Sequence, residues 1–129
     1  MLLDANVFLE LLLDRKHATE CGALLKKLSR GESEGVVTRF ALHSIEAVYD
    51  SDLLGGFLAS IDRSLGLYVH DTTTQEEADV AALAKKIGRD YDDAMQYFVA
   101  KKLSVETIVS YDRDFDGLDI PRSEPGSGE

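Results

Sequence analysis

The stretch Met1-Leu2-Leu3-Asp4-Ala5-Asn6-Val7-Phe8-Leu9 decides the reading of the chain: a short apolar run, an acid, then a leucine-rich segment reaching Leu13. Such a run predicts a strand that passes at Asp4 into a helix over Asn6 to Leu13. The pattern then repeats outward. From Ala18 the apolar positions Cys21, Leu24, Leu25 and Leu28 recur at helical spacing, and Gly31 lies just past their end. Gly35-Val36-Val37-Thr38 reads as a second strand, followed by helical patterns from Phe40 to Tyr49 and from Leu53 to Leu65, the latter with a bend open at Gly55 and Gly56. Leu67-Tyr68-Val69 reads as a third strand. Thr74-Gln75-Glu76-Glu77 has a capping-box pattern opening a helix that Gly88 stops after Ile87. Asp90 begins the next helix, with Met95, Phe98, Val99 and Leu103 on its apolar side, and Thr107-Ile108-Val109-Ser110 is the following strand. Strand and helix alternate almost throughout, which predicts an α/β fold: a three-layer α/β/α sandwich around a mostly parallel central sheet.

A chain of 129 residues suits one packed domain, expected over residues 1–120. From Pro121 the Pro, Ser, Gly and Glu content predicts a mobile tail over 121–129. No apolar stretch approaches the roughly 18 to 20 residues of a membrane span, and the N-terminus lacks the pattern of a signal peptide. A cytoplasmic protein without membrane contact is the expectation. Cys21 is the only cysteine, so an internal disulfide and a multi-cysteine site are both excluded. The formal charge of −10 argues against tight nonspecific binding of nucleic acid. Divalent ions on a carboxylate cluster would offset much of it, and local basic patches can still steer RNA to one face.

In an open α/β sheet the ligand site lies beyond the carboxyl ends of the strands, so acids just after strands are candidates to share one crevice. Asp4 and Asp112 meet that description, although each also suits a plain local role, helix N-cap for Asp4 and turn residue for Asp112. Glu46 falls beside Leu42, Ile45 and Tyr49 on a face expected to turn inward, where a carboxylate needs a metal or a partner such as Arg39 or His43. Asp93 sits in the first turn of its helix, where the helix dipole favours an acid. Four acids on four elements meeting at one sheet edge point to a shared site. Carboxylates without cysteines suit Mg²⁺ or Mn²⁺, ions that activate water and hold a phosphate for in-line displacement.

On three segments the chain resembles a PIN domain, from Met1 to about Ile120. Leu2-Leu3-Asp4-Ala5-Asn6-Val7 is similar to the family's opening acid with Asn two residues on. Asp92-Asp93-Ala94 resembles its third acidic block, and Ser110-Tyr111-Asp112-Arg113-Asp114-Phe115 its last. The resemblance implies an endoribonuclease in which Asp4, Glu46, Asp93 and Asp112 hold one or two Mg²⁺ or Mn²⁺ ions, with Asp114 as an extra ligand. Asn6 and Ser110 become supporting or water-orienting groups, and RNA is cut to leave a 3′ hydroxyl and a 5′ phosphate. Asp93 is chosen over Asp92 because Ala94 follows it, and Asp92 is expected to point away. Ser110 stands where the family more often has Thr. Many small members are toxins of the VapC-like type, dimeric and held inactive by an antitoxin, so a homodimer and a cognate antitoxin are further expectations.

Arg15, Lys16 and Arg113 lie nearest in sequence to the acids and are the candidates for RNA phosphate contact. His17, His43 and His70 have no ligand spacing and are assigned to no metal. A phosphatase of the haloacid dehalogenase class also starts from an Asp after its first strand, but it requires a second Asp where this chain has Asn6. A receiver domain needs an acidic pair after the first strand, also missing. An inactive PIN-like module that binds protein or RNA is the remaining alternative, favoured by the acidic surface and opposed by the four acids.

Overall fold

A computed structural model describes residues 1–126. Strands β1 (Leu2–Leu3), β2 (Gly35–Thr38), β3 (Leu67–His70), β4 (Ile108–Val109) and β5 (Arg122–Ser123) form one sheet in the order β3-β2-β1-β4-β5. Every pairing in it is parallel. The helices are α1 (Ala5–Leu12), α2 (Ala18–Arg30), α3 (Arg39–Val48), α4 (Ser51–Arg63), α5 (Thr74–Ile87) and α6 (Tyr91–Lys102). None is long and apolar enough to cross a membrane.

A two-residue strand can anchor such a sheet because both of its side chains are buried. Successive residues of a strand point to opposite faces. Leu3, Val37 and Val109 therefore enter one core with Val7, Phe8, Leu24 and Ile45, whereas Leu2, Val36 and Ile108 enter the other with Met95, Val99 and Phe115. Helices α1 to α4 cover the first face and α5 and α6 the second. Leu2 and Leu3 are each fully buried, and truncating either to Ala would cost about 2–5 kcal/mol. The expected α/β/α sandwich is the fold observed.

Local signals set most boundaries. Gly31 and Gly88 end α2 and α5 in the left-handed region, at φ 77° and 68°, a conformation that glycine adopts without steric cost. The capping box lies one residue earlier than expected: Thr73, not Thr74, caps α5, and Glu76 returns its carboxylate to the Thr73 amide. Gly55 and Gly56 lie within one uninterrupted helix. The tail expected from Pro121 starts instead as a strand, because Ile108 and Ser110 donate their amides to the carbonyls of Pro121 and Ser123. Arg122 holds that strand in place through Asp116, Glu124 and the Ser110 carbonyl. The rest of the expected tail, 127–129, lies outside the described residues.

Candidate functional site

Because the sheet is parallel, the carboxyl ends of its strands share one edge. Asp4 leaves β1 there, Ser110 and Asp112 leave β4, and Thr38 closes β2 by capping α3. The loop between α5 and α6 reaches the same edge, where Asp90 caps α6 by accepting the Asp93 amide at 3.1 Å. Together these elements wall a cleft of about 330 Å³ whose acidic side is Asp4, Asp90, Asp92, Asp93 and Asp112. One oxygen from each of Asp93, Asp112 and Asp114 lies within 4.8 Å of the others.

The hydrogen bonds of the cleft show which carboxylates are held. Asp4 makes no side-chain cap to α1; its Oδ2 accepts from Ser110 Oγ at 2.7 Å. The same Ser110 oxygen accepts the Asp112 amide at 2.9 Å. Asp112 Oδ1 accepts the Asp114 amide at 2.8 Å, so Asp112 also serves the turn at Arg113–Phe115. Asp93 is only 9% exposed. Burial, followed by the charges of Asp90, Asp112, Asp114 and Asp4, lifts its carboxyl to a pKa of about 6. Burial also raises Asp4, against the Ser110 and Ala5 hydrogen bonds that pull it down, and Asp112 and Asp92 add to the rise. Crowded acids that resist ionisation suit a cation.

Glu46 does not line this cleft. Helix α3 buries Ala41, Leu42 and Ile45 and presents Phe40, Ser44 and Val48 to the cleft. Glu46, two residues past Ser44, is turned from it by about 200°. Its charge falls on Arg39, which is paired with Asp71 at 2.8 Å. The inward face was assigned from Leu42 and Tyr49, and that stripe packs on the core rather than on the site. Asp92, expected to point away, lines the cleft.

Asn6 lines the cleft from the first turn of α1, and Ser110 bridges two of the acids. Arg15, Lys16 and Arg113 are exposed and do not line it. His17, next to Lys16, stacks on Tyr111 at 4.0 Å, which ties that basic loop to the segment carrying Asp112. Three polar residues of the cleft lie outside the expected set: Asp90, Ser44 and Gln96. Gln96 was legible in principle, since it stands three residues after Asp93 on the same face of a helix.

The donor set is hard oxygen throughout, which fits Mg²⁺ or Mn²⁺ and does not fit a thiophilic metal. No curated protein matches the chain. The model of the PIN domain, a fold generally used by nucleases, matches residues 1–121. The chain belongs to the PIN-domain family.

Proposed function

We propose that this protein is a divalent-metal-dependent endoribonuclease. The observation that carries the reading is the convergence of Asp93, Asp112 and Asp114 within 4.8 Å, beside an Asp4 held by Ser110. Asp4, Asp93 and Asp112 would hold Mg²⁺ or Mn²⁺, with Asp114 as a further ligand; Glu46 has no part in it. The ion would supply charge neutralisation on the scissile phosphate and acidify the attacking water. The chain's own residues orient the rest. Ser110 fixes the Asp4 and Asp112 segments against each other, Asn6 offers an amide at the mouth of the cleft, and Arg15, Lys16 and Arg113 offer charge to the RNA backbone. Because the acids repel RNA until a cation is bound, ion and substrate should load together. A toxin role, with a homodimer and a cognate antitoxin, extends this reading and rests on the resemblance to small toxin members of the family.

The test is cleavage of a single-stranded RNA with and without Mg²⁺ or Mn²⁺. Ion-dependent cutting that disappears in Asp93→Asn, with unchanged folding, supports the nuclease. The second reading, an inactive binding module, draws on the α3 side of the cleft, where Ser44 and Val48 rather than a carboxylate face the acids. Absence of ion-dependent cutting in the wild-type chain would favour it.

A further inference from the structure

Gln96 stands one helical turn beyond Asp93 and lines the acidic cleft. Its side chain is 5% exposed, yet its Oε1 has no hydrogen-bond partner. Buried amide oxygens are almost always given a donor. The other polar groups lining the cleft do not supply it: ionised Asp4, Asp90, Asp92, Asp93 and Asp112 are acceptors only, the Ser44 hydroxyl is given to the Phe40 carbonyl at 3.3 Å, and the Asn6 amide makes no hydrogen bond to it. An acceptor left without a donor beside so many carboxylates calls for an electron-poor occupant. A hydrated divalent ion is such an occupant, because Mg²⁺ is held through few carboxylates and keeps several waters that donate hydrogen bonds.

We propose that Gln96 is the neutral oxygen donor of this site, using Oε1 to hold the hydrated divalent ion beside Asp4, Asp93 and Asp112. It supplies a contact from α6 where α3 gives no carboxylate. A neutral oxygen adds that contact without adding to the repulsion that already lifts Asp93. The inference rests on the ion-dependent reading of the cleft, and it assigns a positioning role that burial alone would not require.

The experiment measures Mn²⁺ binding to the full chain by titration calorimetry for wild type, Gln96→Met, Gln96→Glu and Asp93→Asn, with melting temperatures taken without metal. Methionine keeps the length and removes the acceptor. Gln96→Met is expected to bind Mn²⁺ about 10–100-fold more weakly while melting higher without metal, by roughly 4 °C, since a buried orphan has been removed. Gln96→Glu is expected to keep ion binding. In wild type the Gln96 side-chain amide resonances should shift when Mg²⁺ is added, a readout that needs no variant to fold. Wild-type affinity in Gln96→Met, or amide resonances unmoved at saturating Mg²⁺, overturns the role of Gln96 if Asp93→Asn has lost binding. If wild type binds no Mn²⁺, or Asp93→Asn binds as wild type does, the ion-dependent reading fails and this inference with it.

Discussion

Ser110 Oγ donates a 2.7 Å hydrogen bond to Asp4 Oδ2 although 106 residues separate them. The bond exists because β1 and β4 are parallel neighbours in register, Leu3 opposite Val109, so their following residues emerge side by side. With the Asp112 amide on the same hydroxyl, one oxygen sets the spacing of two acids.

Removing that hydroxyl should therefore act on the site more than on the fold. Ser110→Ala takes a hydrogen bond from the ionised form of Asp4, whose carboxyl burial already pushes up. Loss of a group that orients a metal ligand typically costs about 10–100-fold in affinity. Ser110→Ala should thus weaken Mn²⁺ binding within that range, and Ser110→Thr should preserve it. Calorimetric titration at pH 7 decides the matter; equal affinity in all three would show that the bridge is only structural.

Asp93 makes the metal-free protein sensitive to pH in a definite direction. Its carboxyl rises from 3.8 to about 6 on folding, so the native state keeps a proton that the unfolded chain has released. Its contribution to stability is thus most favourable below about pH 4 and is lost as pH rises through about 6, a change on the order of 2 kcal/mol. Asp4 shifts in the same direction. Asp71, Asp119 and Glu124 are lowered by their basic partners and work the other way, losing their contribution in acid. Comparing wild type with Asp93→Asn cancels those terms. Denaturant melts without metal should show wild type losing stability relative to Asp93→Asn between about pH 4 and 6, the window between the two pKa values. A constant difference across that window would mean Asp93 ionises normally.

Arg122 is 11% exposed along its side chain and reaches Asp116, Glu124 and the Ser110 carbonyl. Replacing it by methionine keeps much of the packing and strands those acceptors. Hydrogen bonds to charged groups are worth about 1.5–3 kcal/mol each when buried, less where solvent reaches them. With Asp116 and Glu124 each about half exposed, a loss of about 2 kcal/mol in chemical denaturation is expected for Arg122→Met. An unchanged midpoint would show that β5 is held by its backbone alone.

Which parts of this molecule could be read in advance follows from what their signals depend on. Gly35 to Thr38 came out with the observed bounds because four residues of one local pattern fill one strand. β1 was legible because burial on both faces makes Leu2 and Leu3 both apolar. Asp4, Asp93 and Asp112 line the cleft, as chain order suggests, because each sits at a junction between elements at the sheet edge. Glu46 was misplaced because a helix with two apolar stripes does not reveal which one borders the site; Phe40, Ser44 and Val48 form that stripe, and it is only partly apolar. Arg122 and Ser123 join the sheet through backbone amides and carbonyls, which leave no mark in side-chain pattern. Glu46→Gln should accordingly leave Mn²⁺ affinity and RNA cutting as in wild type, whereas Asp92→Asn, at the cleft but exposed, should weaken binding severalfold. A loss of binding in Glu46→Gln equal to that in Asp93→Asn would return Glu46 to the site.

The remaining prediction separates ion binding from simple screening. With a formal charge of −10, the chain repels itself, and any salt relieves part of that repulsion. The cleft adds a local share, visible in the raised carboxyls of Asp4 and Asp93. An ion bound by the native state alone stabilises it by mass action, about 2.7 kcal/mol at a hundred times its dissociation constant. Mn²⁺ or Mg²⁺ should therefore raise the melting temperature more than NaCl does at matched ionic strength, with a saturating dependence on concentration. Asp4→Asn removes one charge from the cleft and keeps an amide oxygen to accept the Ser110 hydroxyl, so it should melt higher than wild type in metal-free buffer and gain little from Mn²⁺ beyond the salt effect. If NaCl reproduces the whole rise, or if Asp4→Asn gains from Mn²⁺ as much as wild type, the cleft binds no specific ion and the inactive binding module becomes the better account.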